Sequence, residues 1–151
     1  MNVVGCGNFI TETETARPPV LSVLYVDDEP VLLEVFKLFL ERHPDISVST
    51  ASSVDQAMTL LASSEFDVIV SDYQMPGTDG IAFLKLLKAN NSSIPFILYT
   101  GHGREEVMDD AFANGAIFYI QKGGNPRSKF TEIDLKIRQA HRIHRAEPIL
   151  Q

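Results

Sequence analysis

The 151-residue chain is 44% hydrophobic and 22% charged, with a formal net charge of −7, which describes an ordinary globular domain long enough to bury a core. The acidic balance argues against broad nucleic-acid binding, although residues 128–145 carry five Lys/Arg against two Asp/Glu. A lone cysteine, Cys6, excludes an internal disulfide framework, and neither a signal-like leader nor an apolar run long enough for a membrane span is present, so the expectation is a cytoplasmic protein.

Residues 1–19 are polar and without periodicity and end in Arg17-Pro18-Pro19, which predicts a disordered N-terminal tail. Val20 to Val26 is apolar almost throughout, as expected of a strand covered on both faces, and runs into Asp27-Asp28-Glu29-Pro30. Proline suits a first helical turn. The helix expected over 30–43 buries Val31, Leu32, Val35, Phe36, Phe39 and Leu40 on one stripe. Ile46 to Ala51, with its Ser and Thr, reads as an edge strand. Ser52 or Ser53 caps a helix to about Ser63 that buries Val54, Ala57, Met58, Leu60 and Leu61.

Val68 to Val70 is a short β-branched run that delivers Asp72 to a strand end, where Pro76-Gly77 and Asp79-Gly80 force turns. A helix over 81–89 follows, with Phe83, Leu84 and Leu87 inward, and then a strand from Phe96 to Thr100. Gly101-His102-Gly103 is a loop, and Arg104 to Asn114 an acidic, weakly apolar helix ended by Gly115. A fifth strand spans Ile117 to Gln121. A last helix starts at Asn125 or Ser128, reaches about Arg145 and buries Phe130, Ile133, Ile137 and Ala140, leaving 146–151 as a C-terminal tail. Strands alternating with amphipathic helices predict an α/β fold: a five-stranded parallel sheet over 20–145 with helices on both faces.

In such a sheet the carboxyl ends of the strands share one edge, where ligand sites form. Asp27 and Asp28, Asp72, Thr100 and Lys122 all fall at that edge. Three crowded carboxylates require a counter-charge. Lys122 supplies one, and a hard divalent cation with oxygen ligands, Mg²⁺, suits the rest. The four histidines, His43, His102, His141 and His144, are dispersed and offer no competing site. A carboxylate beside a cation and a lysine can act as a nucleophile toward a phosphoryl group, with the Thr100 hydroxyl on one of its oxygens.

Four motifs carry a resemblance: V-D-D-E after the first strand, S-D-Y-Q-M-P-G-T-D-G around the third, Y-T-G closing the fourth and Y-I-Q-K at the fifth. Over about 20–145 the chain resembles a response-regulator receiver domain, chemotaxis-regulator-like, the phosphoacceptor half of two-component signalling. That resemblance implies a doubly wound, flavodoxin-like sheet of order 2-1-3-4-5. It implies that Asp72 accepts a phosphoryl group from a histidine kinase. It further implies that Asp28 and Asp72 bind Mg²⁺ directly, Asp27 through water, and that the Gln74 backbone carbonyl completes the protein ligands. Lys122 would pair with Asp72 and then with the phosphoryl oxygens, Thr100 and Tyr119 would form the switch pair, and Gly101 would leave room for the phosphoryl group. The output face would be the fourth helix, fifth strand and fifth helix, acting on a downstream protein; acidic residues on one helix and basic residues on the other are complementary across a symmetric homodimer.

The family usually has proline after the lysine, where this chain has Gly123-Gly124. A cis bond before a non-proline residue costs about 2.5–4 kcal/mol, so a trans peptide is expected. The Q-K-G-G-N-P run resembles receivers associated with methanogenic archaeal sensor kinases. Three rival readings are open. A phosphatase would want an acid where Gln74 stands, and a flavin or nucleotide binder would want a Gly/Ser-rich first loop. A phosphorylation-independent module tends to lose one of the acids or the lysine. The expectation is a protein that is not an enzyme beyond handling its own phosphoryl group, either stand-alone or a receiver cut from a hybrid sensor kinase.

Overall fold

Ten elements alternate strictly along the chain: β1 Leu21–Val26, α1 Pro30–Leu40, β2 Ile46–Ala51, α2 Val54–Ser63, β3 Val68–Ser71, α3 Gly80–Ala89, β4 Phe96–Thr100, α4 Glu105–Ala113, β5 Phe118–Gln121 and α5 Pro126–Leu150. They come from a computed structural model that describes residues 20–101 and 105–150, with residues 147–150 described by backbone alone. The expected tail over 1–19, with Cys6, and the expectations for His102, Gly103 and Arg104 lie outside the described residues.

The five strands form one sheet in the order β2-β1-β3-β4-β5, and every neighbouring pair is parallel. Alternation along the strands splits the core in two. Leu24, Val26, Ile69 and Leu98 face α2, α3 and α4 and pack with Ala57, Phe83, Leu84, Leu87 and Val107. Val23, Tyr25, Val70, Ile97 and Tyr99 face α1 and α5 and pack with Phe36, Leu40, Ile133, Ile137 and Ala140. A chain that crosses from β1 outward to β2 and then back to β3 leaves a crevice between the carboxyl ends of β1 and β3.

Local signals account for most boundaries. Ser53 caps α2, its hydroxyl accepting from the Gln56 N–H at 3.2 Å. Asp79 caps α3 by accepting from the Ala82 N–H at 2.8 Å. Asn125 caps α5, accepting from the Ser128 N–H at 3.1 Å. Besides one-residue shifts at the starts of β1 and α3 and the end of β3, three boundaries and one face differ from the sequence reading. Helix α1 ends at Leu40 rather than 43, before His43-Pro44, and β5 begins at Phe118 rather than Ile117. Helix α5 continues to Leu150 rather than stopping near Arg145, and it runs through Pro148 in its last turn, a residue that gives up a backbone N–H there. Val31, placed on the buried stripe of α1, is 69% exposed, while Phe36 and Leu40 are covered; periodicity assigns residues to a face but not how far the sheet reaches beneath it.

Candidate functional site

The crevice predicted by the topology holds the predicted side chains. Asp27 follows the last residue of β1 and Asp72 the last residue of β3, each placed by the strand that precedes it. Thr100 closes β4, and Lys122 follows β5 with its N–H still bonded to the Thr100 carbonyl at 2.8 Å. Asp27 and Thr100 are fully buried and Asp72 is 5% exposed; Asp28 is half-buried. One carboxylate oxygen from each of Asp27, Asp28 and Asp72 lies within 4.8 Å of the others. Asp28 and Asp72, with Gln74, Met75, Gly101 and Lys122, line a cleft of about 500 Å³.

Lys122 is shared between two acids. Its Nζ lies 2.7 Å from Asp27 Oδ2 and 3.5 Å from Asp72 Oδ2, so the tighter partner is Asp27. Asp72 accepts from the Tyr73 N–H at 2.8 Å and from the Thr100 hydroxyl. Burial raises its pKa above the usual carboxylate range; the Lys122 charge opposes this and the Asp27 charge adds to it. An acid short of compensation in a crowded site gains from a further positive charge. The ligand atoms on offer are oxygens, they converge from the two loops after β1 and β3, and the cleft beside them is open to solvent. The set therefore fits a hard divalent cation.

The loop after β5 has the trans peptide expected of it: no cis peptide occurs among the described residues, and Gly123 and Gly124 adopt φ of +111° and +80°. Both values favour glycine. Tyr119 is half-buried and packs against the core shared by α2, α3 and α4.

Two features escaped the sequence reading. Gly80 opens α3 so close to the strand above that any side chain there would run into the Asp72 carbonyl, whereas the sequence offered only a turn signal. The second is Tyr25, in an apolar run that read as core. It is buried and stacked on Phe36 of α1, ring centroids 3.9 Å apart, yet its hydroxyl donates to Asp27 Oδ2 at 2.6 Å. Burial, then the Asp27 charge, pushes the phenol far above its ordinary pKa, so it remains a donor. Neighbouring Tyr99, over whose ring Lys122 Nζ sits 5.5 Å from the centroid, is pushed up to about 12 by burial and by the same carboxylate.

Comparison with known proteins agrees with this geometry. The family model described as "Response regulator receiver domain" matches residues 23–134. The transcriptional regulatory protein FixJ of Bradyrhizobium diazoefficiens is 30% identical over 128 residues, 85% of this chain and 62% of that protein; two further curated regulators are covered over 48% and 51% of their lengths. Thus the chain spans about half to three fifths of these relatives. Among solved structures, the signal receiver domain of an HD domain-containing protein from Pseudomonas fluorescens superposes with a TM-score of 0.76 at 27% identity, covering 84% of this chain and 98% of that one. A CheY-like receiver from Methanospirillum hungatei superposes with a TM-score of 0.71 at 24% identity, over 82% of this chain and 98% of that one. At that identity the likeness speaks for the fold and not for a methanogenic lineage.

Proposed function

The chain belongs to the response regulator receiver family, and from that premise we propose that Asp72 is its phosphoacceptor. In this reading a carboxylate oxygen of Asp72 attacks the phosphorus of a kinase phosphohistidine. The P–N bond breaks, the imidazole leaves and takes up a proton, and an aspartyl phosphate forms. Asp28, Asp72 and the Gln74 backbone carbonyl, with Asp27 behind them, would hold Mg²⁺, which when bound would supply positive charge to the transferring oxygens.

The chain's own residues do the rest. Lys122 moves off the carboxylates, 2.7 and 3.5 Å away, onto the incoming phosphoryl oxygens, and the Thr100 hydroxyl passes from Asp72 to one of them. That movement draws Tyr119 inward behind it, and the change reaches the face of α4, β5 and α5. On this face Phe112 is 46% exposed, and Lys136 sits over the Phe118 ring, 4.6 Å from its centroid. Acidic Glu105, Glu106, Asp109 and Asp110 on α4 and basic Lys136 on α5 are the charges by which a downstream protein or a second copy would dock; Arg138, also expected there, turns instead to Asp45 and Asp134, and Arg142 and Arg145 lie on that same side. Gln74, exposed at the rim, can orient a water but has no proton to give, so turnover is confined to slow hydrolysis of the protein's own aspartyl phosphate.

What supports the reading most is the single mouth at which three carboxylates and a lysine, from three separate strand ends, meet around buried Asp72. A cytoplasmic location fits a receiver, and among the described residues no helix is long and apolar enough to cross a membrane. Placement among methanogenic archaeal receivers has only the Gln121–Pro126 run in its favour. Borohydride reduction of the phosphorylated protein followed by peptide mapping tests the assignment, because an aspartyl phosphate is converted to homoserine. Homoserine at position 72 is the expected outcome; homoserine at position 27 or 28 would refute it.

A further inference from the structure

Tyr25 and Asp27 are two residues apart on β1, so their side chains project from the same face of the sheet. A strand side chain leans along the strand, and a tyrosine is long enough for its hydroxyl to reach the next residue on that face. The ring is held by the stack on Phe36 and by Tyr99 at 6.2 Å. Phenylalanine would fill the same apolar slot; the hydroxyl finds its partner in the Asp27 carboxylate, 2.6 Å away. A short bond from a neutral donor to a buried anion is of the charge-assisted, strong kind.

Asp27 is thereby held at both oxygens. Oδ2 accepts from Tyr25 at 2.6 Å and from Lys122 at 2.7 Å, and Oδ1 accepts from the Glu29 N–H at 3.0 Å. We propose that Tyr25 is a positioning residue for the acidic centre: its hydroxyl fixes the Asp27 carboxylate in the orientation from which it supports a divalent cation at Asp28 and Asp72. This rests on the metal-assisted reading above. Two donors on one oxygen also divide its charge, so Lys122 is held by Asp27 without being locked to it and stays within 3.5 Å of Asp72. Without the hydroxyl, Asp27 turns toward the lysine alone, and the support it gives the cation is lost.

The test is a Mg²⁺ titration of the full chain, followed through amide resonances, for wild type, Tyr25→Phe and Tyr99→Phe. Removing a partner that orients a metal-supporting group weakens binding by about 10–100-fold. The expected result is a Kd about tenfold higher in Tyr25→Phe, with Tyr99→Phe, from the same ring cluster, within about twofold of wild type. Independently, wild type carrying ¹³C at the tyrosine ring Cζ should show the Tyr25 signal moving on Mg²⁺ addition. That spectrum decides the matter alone if Tyr25→Phe does not fold. A Tyr25→Phe affinity equal to or tighter than wild type, or a Tyr25 signal unmoved while Mg²⁺ binds, would overturn the inference. Wild type that takes no Mg²⁺ would overturn the metal-assisted reading itself.

Discussion

Asp72 is in an awkward electrostatic position. Its carboxylate is buried, sits near another acid and has its pKa raised above the usual range. In the unfolded chain the same group ionises more readily. Its contribution to stability is therefore fully present below the ordinary Asp value and is lost as the pH rises through the higher folded-state value. At neutral pH the ionised side chain works against the fold. Asp72→Asn should accordingly melt higher than wild type in metal-free buffer at pH 7. A gain of about 1 kcal/mol corresponds to about 2–4 °C at this size. The advantage should vanish below the ordinary carboxylate pKa and shrink when Mg²⁺ is added; thermal melts with and without EDTA at both pH values check it. At this scale the site was legible, because Asp27, Asp28, Asp72, Thr100 and Lys122 advertise themselves as polar residues ending apolar strands. Tyr25 did not. A tyrosine in an apolar run looks like packing, and only its two-residue spacing from Asp27 carried the signal.

Elements are pinned by contacts that the hydrophobic pattern does not contain. Edge strand β2 has its outward backbone covered by α1: the Val48 N–H donates to Glu41 at 2.8 Å and the Val48 carbonyl accepts from Lys37 at 2.6 Å, which blunts an otherwise open edge. The turn leading into β2 is tied to α5, where Arg138 grips Asp45 with two bonds of 2.6 and 3.0 Å and Asp134 with one of 3.0 Å. The hydrogen bonds from Arg138 hold the Asp45 carboxyl below its usual range. This group therefore stabilises the fold above the ordinary Asp value, and the benefit is lost as the pH falls through the lower folded-state value. The side chains of Arg138 and Asp45 are 28% and 34% exposed, so screening limits the value of the pair. Arg138→Ala should cost about 1 kcal/mol in urea unfolding at pH 7 and less at pH 3. Strand positions were readable because both faces are covered. The ends of α1 and α5 and the exposure of Val31 were not, since helix ends and sheet width are tertiary facts.

Across the molecule, the parallel sheet with helices on both faces followed from the order of elements and the strand order from the family resemblance, and it is the topology that turns four distant segments into one site. It also joins that site, through two strands, to a distant face. Thr100 and Lys122 end the two strands, β4 and β5, on which Tyr99, Phe118 and Tyr119 ride, while α4 and α5 flank them. A change in which partner these two residues hold is a change at the end of both strands. Beryllofluoride, which mimics a phosphoryl group on a carboxylate, should shift the amide resonances of Thr100, Tyr119, α4 and α5 far more than those of α2. Shifts confined to the crevice would deny the coupling.

The central claim is that Asp72 takes a phosphoryl group with the help of a divalent cation, and intact mass tests it most directly. Wild type, Asp72→Asn and wild type with EDTA are each incubated with Mg²⁺ and a small acyl-phosphate donor. The account predicts a gain of one phosphoryl group in wild type and none in the other two. A gain that survives in Asp72→Asn, or no gain in wild type with Mg²⁺ demonstrably bound, would contradict it.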